Sequence, residues 1–202
     1  MSEHIKLAEN IILIDVPGLN ETIINLVRFF EGSISRKLNK VDLETWIIDL
    51  ALDAGLREGE HRTQILFVYD DTASFLEYCT TRELKSVDGW GCRNQFGEFI
   101  FSAISSEGLA SRESVFFDLL QITLNSEDVK RLILLPAENE YGERLHELLE
   151  DTGHLTSPDA NKDIIRFFPA KTSVSSRYRS EVLIFSLMHA LGVRSEDLDL
   201  IR

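Results

Sequence analysis

Acidic side chains follow three apolar segments of this sequence, and together they could support metal-dependent chemistry. Asp15 ends the apolar residues 11–15, Asp70 and Asp71 end a second such segment, and Glu138 and Glu140 follow a third. Clustered carboxylates repel one another, so a folded protein tolerates them when a divalent cation or a proton compensates their charge. Their hard oxygens favour Mg²⁺ or Mn²⁺, which can polarise a phosphodiester and activate a bound water.

The same carboxylates also have a purely structural interpretation. An Asp at the end of a strand often caps the following helix or binds loop amides. Glu138 and Glu140 would interact favourably with the N-terminal dipole of a helix that follows Tyr141. Residue types and spacing leave both interpretations open.

Strand-like and helix-like segments alternate along the chain and must position these side chains. Four segments have the continuous β-branched and aromatic character of strands that are covered on both faces: residues 11–15, 63–69, 131–135 and 163–168. A fifth segment, residues 96–104, is more ambiguous, and the last helical pattern covers residues 179–191. The alternation predicts one α/β domain over residues 1–202, with three α/β/α layers and about five mostly parallel strands. Ligands of such sheets bind beyond the carboxyl ends of the strands, where these acidic residues lie.

Two motifs resemble NYN domains, a branch of the PIN-like nucleases. Residues 11–15, with Asn20 shortly after them, are similar to the family's first strand, which ends in a metal-coordinating Asp and is followed by an Asn. Residues 131–141 resemble its later strand, which ends in Gly-Asp-x-Asp-Phe; here the corresponding residues are Ala137, Glu138, Glu140 and Tyr141. Asp118 lies where the family has an Asp-bearing helix.

The resemblance implies a PIN-like, Rossmann-like fold and an RNA nuclease that depends on Mg²⁺ or Mn²⁺. The metal would be held by Asp15, Glu138 and Glu140, with Asp118 as a further catalytic carboxylate. Asn20 would position Asp15 or the substrate. Independently of the resemblance, residues 171–179 form a basic and hydroxyl-rich segment before the last helix, and its Arg177 and Arg179 could bind phosphates of RNA. Charge balance with the acidic surface or a mobile loop is the alternative interpretation of this segment.

Departures from the family motif favour a second hypothesis that involves no chemistry. The family helix usually carries a second Asp near a Lys, whereas residues 111–113 here are Ser-Arg-Glu. Each change from Asp to Glu adds a methylene and would displace a tight two-metal geometry. The alternative is a catalytically inert α/β domain that acts as an interaction domain or as a homo-oligomeric scaffold.

Composition excludes several classes of protein. A chain of 202 residues with 44% hydrophobic and 27% charged residues can bury a substantial core and is not wholly disordered. Its net charge of −13 argues against a broad, sequence-independent grip on DNA. Two cysteines are too few for a disulfide scaffold. Because no apolar run reaches the length of a membrane span and residues 1–10 lack a secretory signal, we expect a cytoplasmic protein without membrane contact.

Residues 81–95 break the alternation and predict a loop or lid around Trp90, which lies between two glycines. Trp90 could pack on the domain, stack on a substrate or form a protein interface. A small-molecule-binding protein with this lid is a third functional hypothesis. None of the five histidines has the spacing of a metal ligand, and His189 is predicted to be a partly buried core residue.

Overall fold

A seven-stranded, mostly parallel sheet forms the centre of the computed structural model, which describes residues 7–108, 110–151, 162–170, 175 and 177–199. The strands are β1 (Asn10–Asp15), β2 (Arg62–Tyr69), β3 (Gly91–Asn94), β4 (Gly97–Ser105), β5 (Arg131–Leu135), β6 (Asp163–Phe168) and β7 (Arg179–Val182). Their spatial order is β3-β4-β2-β1-β5-β6-β7, and only the β3–β4 pair is antiparallel. The chain builds outward from β1 in one direction and then in the other, so the order reverses between β1 and β5.

Helices cover both faces of the sheet. They are α1 (Val16–Ile34), α2 (Leu43–Asp53), α3 (Leu84–Val87), α4 (Arg112–Asn125), α5 (Glu138–Glu150), α6 (Ile184–Ala190) and α7 (Ser195–Asp199). Ile12 and Ile14 of β1 pack with α1, α2 and α6 in one apolar core, whereas Ile11 and Leu13 pack with α4 and α5 in the other. Alternate residues of a strand point to opposite faces, so the continuous apolar run of β1 is buried on both sides. The prediction of a three-layer α/β/α domain is confirmed.

Capping residues fix where three of these helices begin. The Asp15 carboxylate accepts a hydrogen bond from the Gly18 amide, so α1 follows β1 directly. Asp42 and Ser111 cap α2 and α4 in the same way. The resulting tight β1–α1 turn brings the first turn of α1 to the carboxyl edge of the sheet.

The structure corrects the predicted elements at three places. α5 begins at Glu138 and not after Tyr141, so Glu138 and Glu140 lie in its first turn. The sheet has seven strands instead of about five, because residues 81–95 contain α3 and β3, and residues 179–182 form β7. The last helix therefore begins at Ile184, not at residue 179. Residues 179–182 pair with β6, and the hydrogen bonds of this long-range pairing override the local helical pattern.

Trp90 and His189 differ in how well their environments match the prediction. Trp90 stacks on Phe101 of β4 with ring centroids 4.9 Å apart, so it packs on the domain. His189 was predicted to be partly buried in the core, which is wrong: its side chain is 75% exposed and contacts Asp49. The first turn after β7 instead buries Leu183 and Leu187, which rotates His189 to the surface.

Two predicted regions lie outside the described residues. One is most of residues 152–162, where Gly153, Pro158 and Asn161 predict a loop, and the other is much of the basic segment at residues 171–179. Among the described helices, none is long and apolar enough to cross a membrane.

Candidate functional site: a carboxylate cluster bound by Arg112

The cluster lies at the carboxyl edge of the sheet, next to the point where the strand order reverses. Asp15 ends β1, Asp70 follows β2, and Glu140 is in the first turn of α5, directly after β5. β1, β2 and β5 are adjacent and parallel, so these three side chains meet at one edge. This is the position at which open α/β sheets bind ligands.

The guanidinium group of Arg112, the first residue of α4, lies between the three carboxylates. Its Nη1 donates to Asp15 Oδ2, and its Nε donates to Asp70 Oδ2 over 3.1 Å. Its Nη2 donates to both Glu140 oxygens, at 2.7 and 2.6 Å. The Arg112 side chain is 9% exposed, so the planar guanidinium fills the centre of the cluster.

Asp15 is the most buried member of the cluster, and every oxygen of its carboxylate has a donor. Oδ1 accepts the Gly18 amide at 2.9 Å, and Oδ2 accepts the Tyr141 hydroxyl at 2.7 Å in addition to Arg112. Burial raises the pKa of Asp15 above its ordinary value, although the Gly18 amide, the Tyr141 hydroxyl and the Arg112 guanidinium all act in the opposite direction. Burial and the nearby Asp15 charge also raise the pKa of Tyr141, which keeps its hydroxyl protonated and able to donate.

Asp70 and Glu140 complete the cluster on its solvent side. Partial burial raises the pKa of Asp70, but hydrogen bonds from Thr72 and Arg112 outweigh this effect and the pKa is lowered. The Glu140 side chain is 55% exposed and reaches Arg112 from the helix surface. Burial lowers the pKa of Arg112, but the hydrogen bond to Glu140 and the charge of Asp15 outweigh it and hold the guanidinium in its charged form.

The donor set of this cluster does not fit a divalent cation in the observed arrangement. The oxygens of Asp15, Asp70 and Glu140 already accept hydrogen bonds from Arg112, Tyr141 and backbone or side-chain groups of this chain. A cation would have to displace a guanidinium that carries the same kind of charge. Among the residues that the structure describes, no group of three or more His, Cys, Asp or Glu side chains is arranged to hold a metal ion. The observed arrangement thus gives no support to binding of Mg²⁺ or Mn²⁺, which stays a prediction from the sequence.

Glu138 belongs to a second, separate ion pair. Its two oxygens accept from Nε and Nη2 of Arg166 at 2.9 and 2.6 Å, and Arg166 Nη2 also donates to the Gly142 carbonyl. Arg166 is 2% exposed, and its guanidinium lies 4.5 Å from the centroid of the Phe168 ring. The predicted metal ligands Glu138 and Glu140 are thus divided between two arginines.

The remaining predicted site residues do not join the cluster. Asp118 is exposed on α4. The Asn20 side chain donates to the Phe75 carbonyl and accepts from the Glu77 amide, so it holds the loop after β2 instead of Asp15. Arg177 is exposed.

Arg179 lies at the wrong edge of the sheet for a role beside Asp15. It is the first residue of β7, and its guanidinium donates to the Ala54 carbonyl and to Asp163, the first residue of β6. β6 and β7 are parallel to β1, so these contacts lie at the amino edge, opposite the cluster. The predicted contact of Arg179 with a phosphate bound at the carboxyl edge is therefore not supported by its position.

Sequence reasoning missed the three residues that complete the two ion-pair clusters: Arg112, Tyr141 and Arg166. A signal for Arg112 was present, because clustered carboxylates need a compensating cation. Arg112 also directly follows the cap of α4, and α4 connects β4 to β5 across the sheet. Nothing local distinguishes Arg166, which lies on a strand between apolar residues.

The turn between β1 and α1 offers no free Gly18 amide to a phosphate. A Cβ atom on Gly18 would lie 2.7 Å from Ala137 Cα, so α1 and the β5–α5 turn are already in close contact there. The Gly18 amide is bound to Asp15. The backbone amide that a Rossmann fold would donate to a dinucleotide phosphate after its first strand is therefore bound to Asp15 here.

Comparisons with known proteins give one family. We find no significant match among curated proteins or among solved structures. The sequence model of DUF6621, a family of unknown function, matches residues 4–198. Because this match covers nearly the whole chain, the protein belongs to the DUF6621 family.

Proposed function

We propose that this protein is a non-catalytic α/β interaction domain, in which arginine side chains replace the cation of a metal-dependent enzyme. The observation that supports this proposal is the Arg112 guanidinium, which binds Asp15, Asp70 and Glu140 at the edge where a metal would be expected. A metal-dependent nuclease needs those oxygens free to bind a metal and orient a water.

The second ion pair supports the same proposal. Glu138 aligns with a metal ligand of the NYN motif, but both of its oxygens bind the buried Arg166. Breaking a buried pair leaves an uncompensated charge at a cost of about 3–5 kcal/mol, so neither arginine would leave its partners readily. The competing proposal is a Mg²⁺- or Mn²⁺-dependent RNA nuclease whose arginines move aside when metal and RNA bind.

A Mn²⁺ titration of chelator-treated protein separates the two proposals. A ligand that binds only the folded state raises the midpoint of thermal unfolding. We expect no rise in the wild type at millimolar Mn²⁺, and no cleavage of single-stranded RNA above that of Asp15→Asn. Because Asp15 is buried and its replacement risks unfolding, the exposed Glu140→Gln serves as a second control.

The opposite result would support the nuclease. A midpoint that rises with Mn²⁺ in the wild type but not in Glu140→Gln, together with metal-dependent cleavage that both variants lose, would overturn the proposed function. Retention of the wild-type unfolding curve in the absence of metal would establish that Glu140→Gln is folded.

A further inference from the structure

An open groove runs beside α1 at the carboxyl edge, close to the Arg112 cluster but on the other face of the sheet. It has a volume of about 310 Å³ and is walled by Glu21, Leu26 and Phe29 on one side, and by Pro136, Pro169 and Ile184 on the other. Pro136 and Pro169 come directly after β5 and β6, so the groove opens where the strand order has reversed. We call it the α1 groove.

The helical spacing of α1 determines the length of the groove. Gly18, Thr22, Asn25 and Phe29 all line it, and residues three or four apart share one face of a helix. At 1.5 Å per residue this face extends about 16 Å, the length of about five residues of extended chain. The α1 groove can therefore hold a short peptide segment along its whole length.

The groove exposes an apolar side chain that the fold itself does not need. Phe29 is 54% exposed at the far end of the groove, although Phe30 beside it is buried in the core. Ile184 is only partly buried on the facing wall. Exposed aromatic residues next to a concave surface are typical of protein interfaces.

The charge of the residues around the α1 groove indicates which kind of ligand it would bind. Among the described residues that line the groove, the ionisable ones are Glu21 and Glu138, both acidic. Glu138 is neutralised by Arg166, whereas Glu21 accepts a hydrogen bond from the neutral Asn139 amide. The neighbouring cluster has three carboxylates around one guanidinium and so adds to the negative potential. Because the chain also has a net charge of −13, an anionic ligand is repelled and a cationic one is attracted.

We propose that the α1 groove binds a segment of a partner protein that carries an apolar side chain beside Lys or Arg. The apolar side chain would pack against Phe29, Leu26 and Ile184, and the cation would lie near Glu21. This inference rests on the proposed function, because it names the partner chemistry of an interaction domain.

Three synthetic peptides of equal length test the proposal: one of Lys and Leu, one of Glu and Leu, and one of Lys and Ser. Binding to the ¹⁵N-labelled full chain is measured from amide chemical shifts. We expect the Lys/Leu peptide to bind at least about tenfold more tightly than the other two. Its shifts should concentrate at residues 18–29 and at Asn139.

Matched variants separate the groove from general attraction to an acidic protein. Phe29→Ser and Glu21→Lys should each weaken Lys/Leu binding about tenfold. Phe185→Ser and Glu58→Lys remove a similarly exposed Phe and an acid, neither of which lines the groove, and should change Lys/Leu binding less than about twofold. All four residues are exposed, and an unfolding curve for each variant verifies that it is folded before its binding is compared.

Several results would overturn the groove proposal. These are equal binding of the Lys/Ser peptide, equal effects of Phe29→Ser and Phe185→Ser, shifts outside the groove, or no binding of any peptide. They would leave the proposed function unchanged if the protein remains insensitive to Mn²⁺. Metal-dependent RNA cleavage that Asp15→Asn abolishes would instead overturn the proposed function, whatever the peptides do.

Discussion

Replacing Arg112 with Met should strongly destabilise the protein, because it leaves a buried carboxylate without its cation. Met keeps an unbranched apolar stem but lacks the guanidinium group, so the change removes the charge, its hydrogen bonds and the volume of that group. The Asp15 side chain is fully buried and the Arg112 side chain is 9% exposed, so water cannot replace the lost partner. For a buried pair that loses one member, the expected loss is about 3–5 kcal/mol of the free energy of unfolding at neutral pH. That is a large share of the about 5–15 kcal/mol of a typical domain.

The loss of stability in Arg112→Met should depend on pH, in a direction set by the pKa of Asp15. Burial already raises the pKa of Asp15 in the wild type, and loss of the guanidinium must raise the pKa further. A group whose pKa is higher in the folded state favours folding when it is protonated, and this contribution is lost as the pH rises through the folded-state pKa. The deficit of Arg112→Met should therefore be largest at neutral pH and should shrink towards about pH 4.

Urea unfolding followed by tryptophan fluorescence measures the deficit, because Trp46 is fully buried in the core. The double variant Asp15→Asn/Arg112→Met removes the buried charge as well and should recover more than half of the loss. Arg144→Met is the matched control. Arg144 is 63% exposed and pairs with Glu113, and this pair joins α5 to α4 as the Arg112–Glu140 pair does. Arg144→Met should cost about 1 kcal/mol or less. The reasoning would be refuted if Arg112→Met lost no more free energy of unfolding than Arg144→Met. It would also be refuted if the loss were the same at neutral pH and at about pH 4.

Two further predictions concern stability away from the cluster. Gly142→Ala should cost about 1–3 kcal/mol in urea unfolding, because its Cβ would lie 2.5 Å from Glu138 Oε2, which the buried arginine holds in place. Gly32→Ala, also in a helix but with no atom within 4 Å of its Cβ, should instead stabilise by up to about 1 kcal/mol; equal effects of the two variants would contradict this interpretation. Hydrogen bonds from Lys37, Tyr78 and the Leu38 amide lower the pKa of Glu31 from 4.5 to about 2, so its stabilisation is present above pH 4.5 and is lost as the pH falls towards 2. Glu31→Gln should flatten this acid limb of the pH–stability curve, and an unchanged limb would show that these bonds do not persist in solution.

The residue pattern along the chain was sufficient to predict the class of fold. Residues 11–15 and 131–135 are continuously apolar because β1 and β5 are covered on both faces, and such runs are recognisable without the fold. The caps Asp42 and Ser111 are local signals of the same kind, since each binds an amide three residues ahead. β7 could not be recognised in this way, because its four residues form a strand only by pairing with β6.

The candidate site also has one part that the sequence predicts and one part that depends on long-range contacts. The sequence determined that Asp15 and the acidic residues after β5 would come to one edge of the sheet, because the carboxyl ends of parallel strands lie at the same edge. Only the tertiary structure decided what neutralises them. Arg112 is 97 residues from Asp15 in sequence, and the crossing of α4 between β4 and β5 brings the two together. A carboxylate cluster that holds a metal and one that holds an arginine look alike in sequence, because the compensating charge comes from a residue that only the fold makes a neighbour.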